Sequence, residues 1–368
     1  MANHDFFPAD YQSARLGFIS ACKEAGFTPE SFENASVAAP DKSKLFADCV
    51  WVGPKDASNV VVTIAGTHGA EGSYGSGCQT GWLRERRFEN LPDDLAILHI
   101  HSINPHGFAW LRRVSEGNVD LNRNFIDFAN LPINEAYAEV HSLIVPDEWS
   151  SETPSKLQAD LDNFVSGHGQ KTFNRAVMGG QHSHPDGIFY GGTQPVWSNG
   201  LIANLATEKL SQAKHIAVID MHTGLGPYGY AELICRHPAD SDALRRARQW
   251  YGDSVTAAQA GESETPPVDG NLRMAFNRLC PQAQVTAIGI EVGTLPLDQV
   301  LMALYTDNWL HAKGDPTGPA HKRVMLDMRN AFYPDASDWT EPVYNRTQEV
   351  IEQAINGLES GFCSLRKA

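Results

Sequence analysis

The stretch Val60-Val61-Val62-Thr63-Ile64-Ala65 is almost wholly apolar, rich in β-branched residues, and too short to make a helix of its own. Such a run reads as a strand covered on both faces, because a strand with one wet face alternates apolar and polar residues. Ile216-Ala217-Val218-Ile219 and Ala287-Ile288-Gly289-Ile290 repeat the pattern, and Leu95 to Ile103 reads as a further strand. Helical stretches lie around them: Asp10 to Ala25, Tyr74 to Phe88, Leu201 to Leu210, Asp240 to Tyr251 and Leu297 to Ala312. Buried strands alternating with helices predict an α/β fold, a three-layer α/β/α sandwich around a mixed, twisted, mostly buried sheet. Leu45 to Val52 and Asn59 to Ala65 are expected to pair as a hairpin around Gly53-Pro54, and Ala231 to Cys235 is a shorter strand. No linker divides the chain, so residues 1–368 are read as one domain with a long insertion at about 126–200. That insertion carries helical pieces near Asn134–Ile144 and Ser155–Met178.

Each central run ends in polar residues. The first leads into Gly66-Thr67-His68-Gly69-Ala70-Glu71, the second into Asp220-Met221-His222-Thr223-Gly224, and the third into Glu291-Val292-Gly293-Thr294. Sites in open α/β sheets gather outside the carboxyl ends of the strands. Two imidazoles and one carboxylate make a catalytic zinc set that leaves a fourth position for water. A further carboxylate beside that water serves as general base. Spacing alone leaves open which of Glu71 and Glu291 is ligand and which is base.

Charge removes other classes. The net charge of −15 argues against nucleic acid or an anionic membrane surface as partner, since phosphate binding needs clustered Lys and Arg. Cys22, Cys49, Cys78, Cys235, Cys280 and Cys363 are scattered without a Cys-x-x-Cys pair, which argues against a thiolate zinc site or a redox motif. Met1 to Phe7 lacks the basic and apolar regions of a signal peptide, and no run is long and apolar enough to span a bilayer, so a cytoplasmic protein is expected. A homo-oligomer stays open.

Four segments resemble the zinc carboxypeptidase family, with its aspartoacylase and succinylglutamate desuccinylase relatives, and in particular a bacterial branch grouped as metallopeptidases. His68-Gly69-Ala70-Glu71 is similar to the family's first two zinc ligands. Asn104-Pro105-His106-Gly107 resembles its Asn-Pro-Asp-Gly turn, with His106 in place of the Asp. Asp120-Leu121-Asn122-Arg123-Asn124-Phe125 is similar to its substrate-carboxylate segment, and Asp220-Met221-His222 to the strand end with the third ligand. Glu291 falls where the family keeps its general base.

The resemblance implies one zinc ion per chain on His68, Glu71 and His222, with Glu291 as base. Asn122 and Arg123 would bind a substrate carboxylate, and Arg112 or Arg113, with Arg113 preferred, would stabilise the oxyanion. The implied reaction is hydrolysis of an amide bond in a small peptide or an N-acyl amino acid. The alternative is a non-catalytic metal-binding or ligand-binding protein on the same fold. Of the remaining polar and aromatic residues, Tyr228 and Tyr230 are expected to be packed aromatics. His182 and His184 are read as exposed loop histidines, and His99 and His101 as facing opposite sides of their strand.

Overall fold

The structure, a computed structural model, describes residues 3–263 and 268–360; Met1, Ala2 and Cys363, used in the sequence reading, lie outside them. Among the described residues the strands are β1 (Glu30–Ala38), β2 (Lys44–Val52), β3 (Asn59–Ile64), β4 (Leu95–His101), β5 (His215–Tyr228), β6 (Ala231–Cys235), β7 (Val255–Ala257) and β8 (Gln284–Gly293). They form one sheet in the order β1-β2-β4-β3-β5-β8-β6-β7. β4, β3, β5 and β8 run parallel at its centre, and β1, β2 and β6 pair antiparallel toward the edges. The sheet is therefore mixed, as expected.

The helices are α1 (Tyr11–Glu24), α2 (Gly72–Arg84), α3 (Pro105–Trp110), α4 (Glu135–Ile144), α5 (Thr153–His168), α6 (Gln170–Met178), α7 (Trp197–Lys209), α8 (Asp242–Tyr251), α9 (Leu272–Leu279), α10 (Leu297–Ala312), α11 (His321–Phe332) and α12 (Ser337–Ser360). Alternate residues of the central strands feed two cores, as the two-residue period of a strand requires. Val61, Ile219, Ile288 and Ile290 pack under α1, α2, α8 and α12. Val60, Val62, Val218 and Ala287 pack under α7 and α9. Both faces are covered, which is why these strands carry no polar alternation. A third core joins α4, α5 and α6 of the 126–200 segment to α10 and α11.

Local signals set several boundaries. α1 starts at an Asp10 capping box, with Ser13 N–H donating to Asp10 Oδ1 at 2.8 Å and Asp10 N–H to Ser13 Oγ at 3.1 Å. Other expectations are corrected. β2 and β3 are not a hairpin, because β4 lies between them and β2 turns back on β1 instead. β1 is a polar, largely exposed edge strand, so it carries no apolar signature. Asn104 to Gly107 is not a bare turn. Asn104 caps the short helix α3, accepting from Gly107 N–H at 2.9 Å, with Pro105 in its first turn. His99 and His101 share one face, as residues two apart on a strand must: Trp82 of α2 lies against His99 and Ser76 of α2 bonds to His101.

Candidate metal centre

The loop between β3 and α2 is held by its neighbour. Asn104 Nδ2 lies 3.4 Å from Thr67 O, and the Ala70 N–H donates to Arg112 O at 2.9 Å. Gly69 is in backbone contact with α3, where a Cβ would lie 1.8 Å from Gly107 C and 2.1 Å from Phe108 N. Only glycine fits between the two backbones, and that approach fixes His68 and Glu71 on either side of it.

The other two residues come from inside the sheet. β5 and β8 run on past their apolar runs, and His222 and Glu291 are register partners in that parallel pair. Asp220, His222, Gly289 and Glu291 thus share one face of the sheet with α9. The resulting cavity encloses about 720 Å³, part of it open to solvent, and His68, His222 and Glu291 line it.

His68 Nδ1 lies 2.8 Å from Glu71 Oε1, and His222 Nδ1 lies 2.9 Å from Glu71 Oε2. The donor atoms of His68, Glu71 and His222 all fall within 4.8 Å of one another, and all three residues are buried. The far nitrogens face carboxylates as well: His222 Nε2 is 2.7 Å from Asp220 Oδ2, and His68 Nε2 is 3.4 Å from Asp120 Oδ1. An imidazole turned with one nitrogen toward a shared centre and the other toward an outer carboxylate is the arrangement metal-binding histidines adopt. The three side chains therefore fit a divalent cation in both donor type and orientation.

Electrostatics agree. Burial pushes Glu71 up, but His68 and His222 outweigh it and hold the carboxyl at about 2. Burial likewise opposes the charge on Asp120, and Arg113 and Arg123 bring it well below the usual carboxylate range. For His222, burial works against the proton while Asp220 and Glu71 raise the ring to about 10. A proton and a metal ion compete for its Nδ1. Glu291 moves the other way: burial and the nearby Glu71 push it up to about 7.

Among the expected substrate groups, Arg113 and Arg112 point to different places. Arg113 lines the cavity, donates from Nε to Asp120 Oδ2 at 2.9 Å, and has Nη1 3.8 Å from Glu71 Oε1. Arg112 is buried in an ion pair with Asp307 at 2.9 Å and is not part of the cavity lining. Asn122 brings Nδ2 within 3.4 Å of His222 Nε2 and accepts from Leu272 N–H at 3.0 Å. Arg123 lines the cavity but is not paired with Asp120 by direct contact. It donates to the backbone carbonyls of Asn122 and Met178 at 3.0 and 2.7 Å.

Tyr228 and Tyr230 are corrected from packed to exposed, at 49% and 52%, because the turn from β5 to β6 carries them into water; neither lines the cavity. His182 and His184 are half-buried rather than exposed: His182 Nδ1 bonds to Gly192 O at 2.7 Å, and His184 packs on His141.

Four residues at this site carry no role in the sequence reading: Asp120 and Asp220 behind the two imidazoles, and Arg236 and Arg273 in the cavity wall. Asp220 was findable, since it sits two residues before His222 on one strand and must face the same side. The arginines come from separate elements and carry no local signal.

Residues 7–346 match the family described as a protein of unknown function, DUF2817, and the chain belongs to that family. No curated protein matches the chain. Solved structures that it resembles include bovine thrombin-activatable fibrinolysis inhibitor in complex with tick carboxypeptidase inhibitor, at 12% identity over 96% of this chain and 98% of that one, with a TM-score of 0.49. Carboxypeptidase A from Helicoverpa armigera is similar at 12% identity over 95% and 73% of the two chains, with a TM-score of 0.49. Succinylglutamate desuccinylase from Chromobacterium violaceum is similar at 14% identity over 82% and 74%, with a TM-score of 0.37.

Proposed function

We propose that this DUF2817 member is a zinc-dependent hydrolase that cleaves an amide bond in a small peptide or an N-acyl amino acid. One observation carries the reading. His68 Nδ1, the Glu71 carboxylate and His222 Nδ1 converge at a cavity, and Glu291 stands beside His222 across the β5–β8 pair. His68, Glu71 and His222 would hold one zinc ion, since imidazole nitrogen with carboxylate oxygen is the donor set of catalytic zinc. The ion would supply Lewis acidity and lower the pKa of water toward roughly 7.

The chain's own groups do the rest. Glu291 accepts a proton from the attacking water and passes it to the leaving nitrogen, so that water adds across the C–N bond and no atom is left over. A base placed by a paired strand position needs little reorganisation as the reaction proceeds. Arg113 is fixed by Asp120, so its guanidinium is already oriented toward the charge that develops on the carbonyl oxygen. Arg123 and Asn122 hold a carboxylate of the substrate, for which the planar guanidinium fork is suited. Asp220 and Asp120 fix the orientation of the two imidazoles.

The test is direct. The purified chain holds one equivalent of zinc and hydrolyses members of a panel of peptides and N-acyl amino acids. Glu291→Gln retains the zinc and lowers kcat by about 10²–10⁴, the usual worth of a positioned base. A wild type that holds no stoichiometric divalent metal under any condition ends the hydrolase reading.

A further inference from the structure

One face of α10 is apolar and lines the cavity. Leu297, Val300, Leu301 and Leu304 all belong to the lining, at the i, i+3, i+4 and i+7 spacing of a single helix stripe. Phe332, the last residue of α11, and Leu225 of β5 extend the apolar side. Val300, Leu301, Leu304 and Phe332 also belong to the third core, so that core opens on the cavity at this end. Gly224 lets Phe332 come close. Its φ of +125° suits glycine, and a Cβ there would lie 2.9 Å from Phe332 Cε1. Among the described residues no acidic or basic side chain of α10 or α11 lines this cavity.

A second cavity of about 260 Å³ continues the first, and the two share Arg113, Phe189 and Leu304 as walls. Beyond that junction Val114 and Ile188 line the second cavity, and α10 supplies Asp307 and Asn308 one turn further on. These polar groups are already engaged. Asp307 pairs with Arg112 at 2.9 Å, while Asn308 accepts from Asn118 Nδ2 at 3.1 Å and donates to Asp186 O at 2.8 Å. What remains for a ligand is apolar wall. From Val300 to Asn308 the helix advances about 12 Å, enough for an extended octanoyl chain.

Arg113 decides which part of a substrate meets this path. Its guanidinium faces the carbonyl oxygen in the reading above, so the group on the carbonyl carbon starts at Arg113, where the second cavity opens. Arg123 and Asn122, assigned to the substrate carboxylate, line the first cavity only. The acyl side therefore runs along α10. A peptide residue there would bring an α-ammonium. Among the described residues the carboxylates lining the two cavities are Glu291, the base, and Asp307, held by Arg112. An ammonium beside Arg113 would be repelled and left unpaired. An alkyl chain needs no partner.

We propose that the cavity takes an unbranched fatty acyl chain on the acyl side of the scissile amide, so that the substrate is a fatty N-acyl amino acid. Val300, Leu301 and Leu304 cover the first carbons, and the end of the chain passes between Phe189 and Leu304 into the second cavity. Water adds across the C–N bond, releasing a fatty acid and an amino acid. The side given to the chain rests on the hydrolase reading; the fit of an alkyl chain stands on the cavity walls alone.

Calorimetric titration of the zinc-supplemented chain with acetate, butanoate, hexanoate and octanoate tests it, since these keep one head group and differ only in methylenes. Each buried methylene is worth about fourfold, so octanoate binds at least about 100-fold more tightly than acetate. Equal affinities across the wild-type series, or no binding of octanoate at millimolar concentration, overturn the proposal. Val114→Phe narrows the second cavity and lowers the octanoate-to-butanoate ratio; an unchanged ratio in the folded variant overturns the route past Leu304. The wild-type series decides by itself, so a variant that fails to fold leaves the test intact. A hydrolysis arm compares N-acetyl and N-octanoyl derivatives of the same amino acids with dipeptides that begin with leucine, which separates a fatty acyl chain from an apolar side chain. A wild type that cleaves acetyl and octanoyl derivatives equally well, or prefers the dipeptides, sinks this proposal and leaves the hydrolase reading standing. One that binds octanoate selectively but cleaves no member of the set sinks the hydrolase reading and keeps the cavity assignment.

Discussion

Gly69→Ala is a one-carbon change that is expected to dismantle the proposed metal site. The added Cβ would sit 1.8 Å from Gly107 C, 2.1 Å from Phe108 N and 2.4 Å from Gly107 O, all of them backbone atoms of α3. No rotamer relieves a clash with backbone, so the two segments must part. Ordinary contact begins near 3.4 Å, which requires a separation of about 1.6 Å. Metal–ligand distances hold to within about 0.2 Å, so a shift of that size on one side of His68 and two residues before Glu71 removes ligands from the set. Zinc affinity should fall by well over 100-fold, beyond the 10–100-fold typical when only an outer partner of a ligand is lost. The zinc-free chain should lose about 1–3 kcal/mol from overpacking. Gly200→Ala is the control. Gly200 is exposed within α7 and has nothing within 4 Å of its would-be Cβ. There the same substitution should raise stability by up to about 1 kcal/mol and leave zinc affinity alone. Chelator competition measures the affinities, and urea unfolding of zinc-free protein measures the stabilities. If Gly69→Ala binds zinc as the wild type does and unfolds at the same urea concentration, the two backbones are not in contact and the account of how the loop is fixed is wrong.

Four further outcomes follow. Arg113→Met should lower kcat by about 10²–10³, the worth of one oxyanion donor, and should also lower the urea midpoint, because it leaves the buried Asp120 without its partner at 2.9 Å. Arg112→Met should cost about 3–5 kcal/mol of stability, because it leaves the buried Asp307 without the partner at 2.9 Å, while kcat of the folded protein stays near the wild-type value; steady-state kinetics beside urea titration separates the two. Burial pushes His99 and His101 down to about 3, so the folded state takes up their protons later than the unfolded chain does at about 6.5. Stability is then full above about pH 6.5 and declines as pH falls toward 3, by about 2 kcal/mol per histidine at pH 5. Urea midpoints against pH should show His101→Gln with a shallower acid decline than the wild type. Removing zinc should lower the unfolding free energy by about 2.7 kcal/mol relative to protein held at 100 times the dissociation constant, read as a chelator-dependent drop in Tm.

The amino-acid order alone determined the central layer. Val60 to Ile64, Ile216 to Ile219 and Ala287 to Ile290 are apolar without alternation, and only a strand covered on both faces calls for that pattern. The polar residues after those runs marked one end of the sheet, because parallel strands deliver their carboxyl ends to the same edge. Local chemistry also fixed Asp10 as the cap of α1.

Pairing was another matter. That β4 lies between β2 and β3, and that polar β1 covers the edge, depends on contacts between segments distant in the chain. By sequence alone Arg113 carries only a slight preference over Arg112, because adjacent residues just past α3 differ only in which way the backbone turns them. The fold sends one to Asp307 and the other to Asp120. Nor could it gather Arg123, Arg236 and Arg273, which come from three elements and meet only because Gly180 and Gly289 leave room for two of them. Residue types that can bind a metal are visible one segment at a time; a charged wall is a sum over side chains, and that sum exists only once the sheet has set its register.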